Sequence, residues 1–127
     1  MRNDIERILI SEEELQEKVS EMGKKISRDF KDKDPIFVGV LKGCFIFMAD
    51  LLRYVDISCS MDFMAVSSYS GTSSTGAVKI NKDLGEDIEG RHLIIVEDIL
   101  DSGITLSYLK QYLMVRKPAS ITIATLM

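Results

Sequence analysis

Three acidic side chains and a Ser-Gly turn stand within nine residues of the chain. Glu97, Asp98 and Asp101 follow the apolar run Leu93–Val96, and Ser102-Gly103-Ile104-Thr105 comes next. If this turn opens a helix, its free backbone amides and two hydroxyls form a seat for a phosphate group. The neighbouring carboxylates would repel a phosphate bound directly to them, but they suit ribose hydroxyls or a magnesium-bound group. We therefore predict a ligand with a phosphate at one end and a diol at the other.

Helix capping is the simpler explanation of the same segment. Asp101 or Ser102 could cap the following helix, which accounts for one acidic or hydroxyl residue. It does not account for Glu97 and Asp98, which precede the turn. A second strand end, Val40-Leu41-Lys42-Gly43, is also chemically unusual because a lysine and a glycine close an apolar run.

The elements that must position these residues alternate between helix and strand. Ser11 and Glu14 have the spacing of a capping box, so we expect a helix to begin there. The apolar runs Ile36–Leu41 and Leu93–Val96 are typical of strands buried on both faces. We predict an α/β fold, a parallel twisted sheet with helices on both faces. The predicted helices are 12–30, 44–54 and one marked by Leu106, Leu109 and Leu113; the strands are 36–41, 57–67, 77–81, 93–96 and 121–126; 67–76 is a loop.

Composition sets limits on the possible functions. The 127 residues suit one domain, 1–127, and the net charge is −4. The sixteen basic residues are scattered along the chain, which disfavours nucleic acid as a partner. No signal sequence or membrane-length apolar run is present, so we expect a cytoplasmic protein without a membrane partner. Cys44 and Cys59 are expected to be buried thiols without a disulfide.

The segment VEDILDSGIT resembles the phosphoribosyl-diphosphate signature of type I phosphoribosyltransferases, and its surroundings resemble the hypoxanthine-guanine branch of that family. The likeness runs from about Leu9 to Leu126. It implies that Glu97 and Asp98 hold the ribose hydroxyls, partly through Mg²⁺, which makes them the metal-site residues. It also implies that Asp101 is the catalytic acid or base beside purine N7. The 5′-phosphate would be bound by Asp101, Ser102, Gly103, Ile104 and Thr105.

Two further segments match the family. Leu41-Lys42-Gly43 resembles its diphosphate-binding loop, in which the peptide bond before the lysine is often cis. Ser68-Tyr69 resembles the start of its lid. By contrast, Gly71–Gly76 resembles a Walker A loop only superficially, since Ala77 and Val78 replace the required Lys and Ser/Thr. His92, the single histidine, is expected at a strand edge or surface and not in catalysis.

The resemblance implies purine salvage: transfer of a phosphoribosyl group from phosphoribosyl diphosphate to hypoxanthine or guanine, giving IMP or GMP. Family members continue past the equivalent of Met127 with the residues that recognise the base. We therefore expect a C-terminally truncated chain that lacks the last strands and part of the hood, and activity is not expected from this chain alone. Its final strand would leave apolar surface uncovered, which favours a homo-oligomer, a dimer or tetramer.

Two other functions remain open at this point. A phosphoribosyltransferase fold can serve as a nucleotide-sensing regulatory module without catalysis, which would be supported by salt-dependent binding to nucleic acid. A receiver-type signalling domain also places acidic residues at strand ends. That alternative offers no reason for Ser-Gly-x-Thr after Asp101, and labelling by acetyl phosphate would favour it.

Overall fold

The computed structural model describes residues 11–68, 78–97 and 104–126. The helices are α1 (Glu12–Asp29), α2 (Phe45–Leu52) and α3 (Ile104–Met114). The strands are β1 (Ile36–Leu41), β2 (Ser60–Ser68), β3 (Val78–Lys82), β4 (His92–Glu97) and β5 (Ser120–Thr125). Four of the predicted strands and the two helices predicted with bounds agree with these ranges to within about two residues, and Leu106, Leu109 and Leu113 lie in α3. β2 begins three residues later than expected.

The capping box at the start of α1 is confirmed. The Ser11 hydroxyl accepts a hydrogen bond from the Glu14 amide at 3.0 Å, and the Glu14 carboxylate accepts one from the Ser11 amide at 3.0 Å. Both bonds satisfy amides that the first turn of a helix cannot pair internally. The predicted start of α1 is therefore correct because its signal lies within four adjacent residues.

The five strands form one sheet in the order β3-β2-β1-β4-β5. β1 pairs in parallel with both β2 and β4, and β4 pairs in parallel with β5. The expectation of an all-parallel sheet needs one correction, since the edge strand β3 runs antiparallel to β2. Nine residues separate the end of β2 from the start of β3. A parallel crossover needs a dozen or more, so a short connection forces the chain to reverse direction.

Successive residues of the central strands point to opposite faces of the sheet, and both faces are covered by helices. On one face, Val38 and Ile95 belong to a buried cluster that includes Leu106, Leu109 and Leu113 of α3. On the other face, Phe37 and Ile94 pack with α1 and α2. The prediction of strands buried on both faces and helices on both sides is confirmed.

The two cysteines are free thiols without a disulfide, as predicted. Cys44 is fully buried beside Gly39, where an added Cβ would lie 2.8 Å from the Cys44 Sγ and 2.7 Å from the Met48 Sδ. Cys59 is only partly buried, so the prediction of two buried thiols is right for Cys44 alone. Burial raises the pKa of the Cys59 thiol, and the nearby negative charge of Asp34 raises it further.

Among the described residues, no helix combines the length and the apolar character that crossing a bilayer requires.

Candidate active site

The chain segments that follow β1 and β4 cross to opposite faces of the sheet. The helix that follows β1, α2, covers one face of the sheet, while α3, which follows β4, covers the other. The strand order also reverses here, because β1 leads outward to β2 on one side and β4 leads to β5 on the other. In open parallel sheets a crevice forms beyond the carboxyl ends of such a strand pair, and ligands bind in it. We call the end of the sheet at which the parallel strands finish the carboxyl edge, and the opposite end the amino-terminal edge.

The first predicted segment lies at the end of β1. The Leu41–Lys42 peptide bond is cis, as the resemblance implied, and both Lys42 and Gly43 are exposed. The chain then turns directly into α2, where the Phe45 amide donates to the Lys42 carbonyl at 3.2 Å. Close packing of Gly39 against the first turns of α2 fixes where this loop begins. The Lys42 ammonium group therefore stands in solvent at the carboxyl edge on a firmly packed base.

The second predicted segment begins at the end of β4. Gly39 of β1 pairs with Val96, and Glu97 pairs with Thr125 of β5, so Glu97 lies at the same edge as Lys42. Its side chain is partly exposed. Asp98, Asp101, Ser102 and Gly103 lie outside the described residues. Ile104 and Thr105 are the first two residues of α3. The acidic run is thus flanked by a buried strand and by a helix start, the arrangement that the sequence predicts for a phosphate seat.

The predicted lid falls on the hairpin of β2 and β3. Ser68 is the last residue of β2 and pairs with Val78, while Tyr69 lies outside the described residues. The Asn81 side-chain amide donates to the Ser67 hydroxyl at 3.1 Å and links the two strands near this point. Because β2 runs parallel to β1, Ser68 also belongs to the carboxyl edge.

Several polar residues at the opposite, amino-terminal edge of the sheet bond to one another. His92, the first residue of β4, forms a 2.7 Å hydrogen bond between its Nδ1 and the Ser120 hydroxyl. Its ring meets that of Phe30 edge-on at 6.1 Å between centroids. The prediction that His92 serves at a strand edge is confirmed. Arg91 donates to the Asp34 carbonyl at 3.0 Å.

Asp83 is the centre of a second polar group at this edge. Its carboxylate accepts hydrogen bonds from the Tyr112 hydroxyl at 2.5 Å and from the Arg116 guanidinium, which stands 5.1 Å over the Tyr112 ring. Partial burial works to raise the pKa of Asp83, but the hydrogen bonds from Arg116 and Tyr112 outweigh it and hold that pKa below its ordinary value. The same bond to Asp83 raises the pKa of Tyr112. This group ties the residue after β3 to the end of α3.

Within residues 11–68, 78–97 and 104–126, no cluster of three or more His, Cys, Asp or Glu side chains is placed to hold a metal ion. Glu97 is the one described member of the predicted metal site. Mg²⁺ in phosphate-handling sites commonly takes one or two carboxylates and completes its shell with water and substrate phosphates. The donor set of Glu97 with its sequence neighbour Asp98 suits that mode of binding.

Comparison with known proteins identifies the relationship. Residues 9–127 match the family model described as the phosphoribosyl transferase domain. The chain is 52% identical to the hypoxanthine-guanine phosphoribosyltransferase of Bacillus subtilis, with a match covering 100% of this chain and 71% of the relative.

Solved structures of two relatives superimpose well. A hypoxanthine-guanine phosphoribosyltransferase from Bacillus anthracis aligns with a TM-score of 0.88 at 46% identity, over 92% of this chain and 70% of that one. A hypoxanthine phosphoribosyltransferase from Trypanosoma cruzi, in complex with the product IMP, aligns with a TM-score of 0.86 at 39% identity, over 93% of this chain and 68% of that one.

Proposed function

The chain belongs to the phosphoribosyl transferase domain family, and on that premise we propose that it serves purine salvage, transferring the phosphoribosyl group of phosphoribosyl diphosphate to hypoxanthine or guanine. The products are IMP or GMP and diphosphate. Support comes from relatives at about half identity that carry the name hypoxanthine-guanine phosphoribosyltransferase. The T. cruzi relative, solved with IMP, supports the same product class.

One observation carries the proposal. The strand ends with phosphoribosyl-binding residue types belong to β1 and β4, the pair at which the sheet order reverses. A ligand in that crevice would meet Lys42 from one side and Glu97 from the other, and the start of α3 beyond it. Its diphosphate, its diol and its 5′-phosphate then each face a group of suitable chemistry.

In the proposed reaction, the bond from the anomeric carbon to a diphosphate oxygen breaks and a bond from that carbon to purine N9 forms. Glu97 and Asp98 hold the ribose hydroxyls, while the backbone amides of 101–105 hold the 5′-phosphate and fix the sugar's orientation. Asp101 accepts the proton that N7 releases as N9 becomes glycosylated. Leu41, Lys42 and Gly43 bind the departing diphosphate, where the lysine charge stabilises the negative charge that develops.

Glu97 and Asp98 are also the residues that would hold Mg²⁺. When bound, the ion supplies electrostatic stabilisation of the diphosphate's negative charge. Ser68 and Tyr69, by family resemblance, begin the segment that covers the reacting centre. Exclusion of water there would prevent hydrolysis of the activated sugar and strengthen the electrostatic interactions around it.

Calorimetry with Mg²⁺ and phosphoribosyl diphosphate tests the proposal on this chain. We expect saturable binding of the diphosphate sugar, followed in separate titrations by binding of IMP and GMP. Asp101→Ala should bind phosphoribosyl diphosphate as the unaltered chain does. Where turnover is measurable, the variant should form IMP about 10²–10⁴-fold more slowly, the usual contribution of a proton-transfer group.

Two outcomes would contradict the assignment. A folded chain that fails to bind phosphoribosyl diphosphate with Mg²⁺ present would remove the proposed function. Near-normal turnover in Asp101→Ala would leave the family assignment in place but exclude Asp101 as the acid–base residue.

The carboxyl edge also carries exposed apolar surface. Phe45 and Ile46, at the start of α2, are 66% and 72% exposed in the isolated chain. Exposed apolar patches are typical of surfaces that contact another protein chain. We propose that they contribute to a homo-oligomer, and sedimentation of the unaltered chain against Phe45→Ser/Ile46→Ser tests this. A monomeric unaltered chain would contradict it.

A further inference from the structure

The structure places three cations around one cavity, although the sequence suggests that the basic residues are scattered. Lys24, Arg28 and Lys31 are spaced four and three residues apart, so they follow one face along and just beyond α1. The cavity has a volume of about 470 Å³, within the range of roughly 300–1,000 Å³ common for small-ligand sites. Its far wall comes from the connection between α2 and β2, namely Tyr54, Asp56 and Ile57.

The floor of this cavity is firmly built. Gly23 packs so closely on Tyr54 that an added Cβ would lie 2.6 Å from the Tyr54 Cβ. Ser27, buried between the two walls, donates from its hydroxyl to the Gly23 carbonyl at 2.9 Å and accepts from the Asp56 amide at 3.1 Å. The Tyr54 hydroxyl donates to the Gln16 side chain at 3.3 Å. The two walls are therefore held at a fixed separation, which keeps the cavity open.

The charges around the cavity are unbalanced. Asp56 is the single acidic residue of the lining, against three cations, in a chain whose net charge is −4. Among the described residues, neither Lys24, Arg28 nor Lys31 has a carboxylate partner within 4.0 Å, whereas Lys25 on the adjacent face pairs with Asp29 at 2.7 Å. Attraction to the helix dipole explains the position of Arg28, which lies in the last turn of α1. It does not account for Lys24, more than one turn before the end, or for the cavity beside it.

From these features we infer that the cavity binds a polyphosphate-bearing anion, either inorganic or the phosphate chain of a nucleotide. The seven residue steps from Lys24 to Lys31 correspond to about 10 Å along a helix. A chain of two or three phosphates matches cations spread over that length better than one phosphate group does. Arg28 offers a forked guanidinium for two phosphate oxygens, and the two lysines act as point charges.

This site is separate from the candidate active site. α1 ends before β1 begins, and Asp56 and Ile57 precede β2, so the cavity lies toward the amino-terminal edge of the sheet. Lys42 follows the opposite end of β1. Six strand residues at about 3.3 Å each put roughly 20 Å between the two places. The inference therefore does not depend on the proposed transfer reaction.

Amide-resolved NMR of the ¹⁵N-labelled chain, titrated with inorganic tripolyphosphate at low salt, tests the inference. We expect saturable shifts of the amides of Ser27, Arg28, Lys31, Asp56 and Ile57, in addition to any shifts near Lys42. Lys24→Gln/Arg28→Gln should weaken the binding that these cavity amides report by about tenfold, because two exposed charge contacts are lost. It should leave shifts near Lys42 unchanged.

The controls separate a specific site from general charge attraction. Lys110→Gln removes one exposed charge on α3, away from the cavity, and should not weaken the binding. Single variants Lys24→Gln and Arg28→Gln give the same test if the double variant folds poorly. If the phosphate chain belongs to a nucleotide, a nucleoside triphosphate should also shift the amide signal of Tyr54. An uncharged nucleoside should shift none of the cavity amides.

Three results would overturn the inference. They are the absence of shifts at the cavity amides, equal affinity in the unaltered and doubly substituted chains, and an equal loss of affinity in Lys110→Gln.

Discussion

The two edges of the sheet use similar residue types in opposite ways. At the amino-terminal edge, Asp83 is enclosed by hydrogen bonds from Tyr112 and Arg116, and His92 bonds to Ser120. At the carboxyl edge, Lys42 stands exposed on a tightly packed loop. Charges that bond to one another stabilise the fold, whereas charges directed to solvent are available to a ligand. The comparison indicates that polarity alone does not mark a functional site; the exposure of a charged side chain to solvent matters as well.

If this division holds, substitutions at the two edges should change different measurements. Those at the carboxyl edge should change ligand affinity with little effect on stability. Those at Asp83 and Arg116, at the amino-terminal edge, should change the free energy of unfolding with little effect on affinity for phosphoribosyl diphosphate.

The largest effect is expected from Glu97→Gln/Asp98→Asn. Hydrogen bonds from ribose hydroxyls to charged groups contribute about 1.5–3 kcal/mol each, so losing both carboxylates should weaken binding of phosphoribosyl diphosphate by about 100-fold or more. Calorimetry measures this change. Thermal unfolding measured in parallel separates any loss of stability from the loss of affinity.

The matched control makes the same chemical change at the other side of the molecule. Glu86→Gln/Asp87→Asn removes two carboxylates near Arg91, whose Nη1 lies 3.7 Å from Glu86. Affinity for phosphoribosyl diphosphate should be unaltered in this control. Equal weakening in both variants would show that overall charge, and not the position of Glu97 and Asp98, determines binding.

A smaller effect is expected from Arg116→Gln. This change removes the ion pair with Asp83 and the cation over the Tyr112 ring, and both charged side chains are about one-third exposed. Solvent screening limits the loss to about 1 kcal/mol of unfolding free energy, measured by urea denaturation. Lys110→Gln, on the same helix, should cost almost nothing. A fall in ligand affinity without loss of stability would break the division between the edges.

The smallest effect concerns pH. The folded-state pKa of Asp83 is lowered, so its contribution to stability is present above the unfolded-state pKa of about 3.9 and is lost as the pH falls through the folded value. The difference in unfolding free energy between the unaltered chain and Asp83→Asn should therefore shrink as the pH falls below about 4. A difference that stays constant into strong acid would show that Asp83 acts by packing and not by charge.

Much of the fold follows from local sequence signals. The capping box and the apolar runs of β1 and β4 depend on adjacent residues, and the structure confirms them. The late start of β2 was not predictable in the same way, because the Asp56 amide is drawn to Ser27 of α1 by a contact between residues far apart in sequence. The direction of β3 was predictable from its short connection to β2, a signal that the alternation of helices and strands obscured.

The functional sites also combine features that local sequence predicts with features that depend on contacts between distant residues. Residue types and spacing predicted a role for Glu97, the family resemblance predicted one for Lys42, and the topology places both at one edge. The basic cavity was missed because α1 carries only one of its walls. Spacing along α1 can align Lys24 with Arg28, but the sequence does not show that Tyr54 and Ile57 stand opposite them.

The packing of Gly39 against Cys44 gives the protein a built-in kinetic reporter. An alkylating reagent can approach Cys59 in the native state, whereas Cys44 becomes reachable only when α2 lifts away from β1. Since that movement also releases the packing beneath Lys42, the rate at which Cys44 is modified measures how often the loop of residues 41–43 separates from the packed residues that support it.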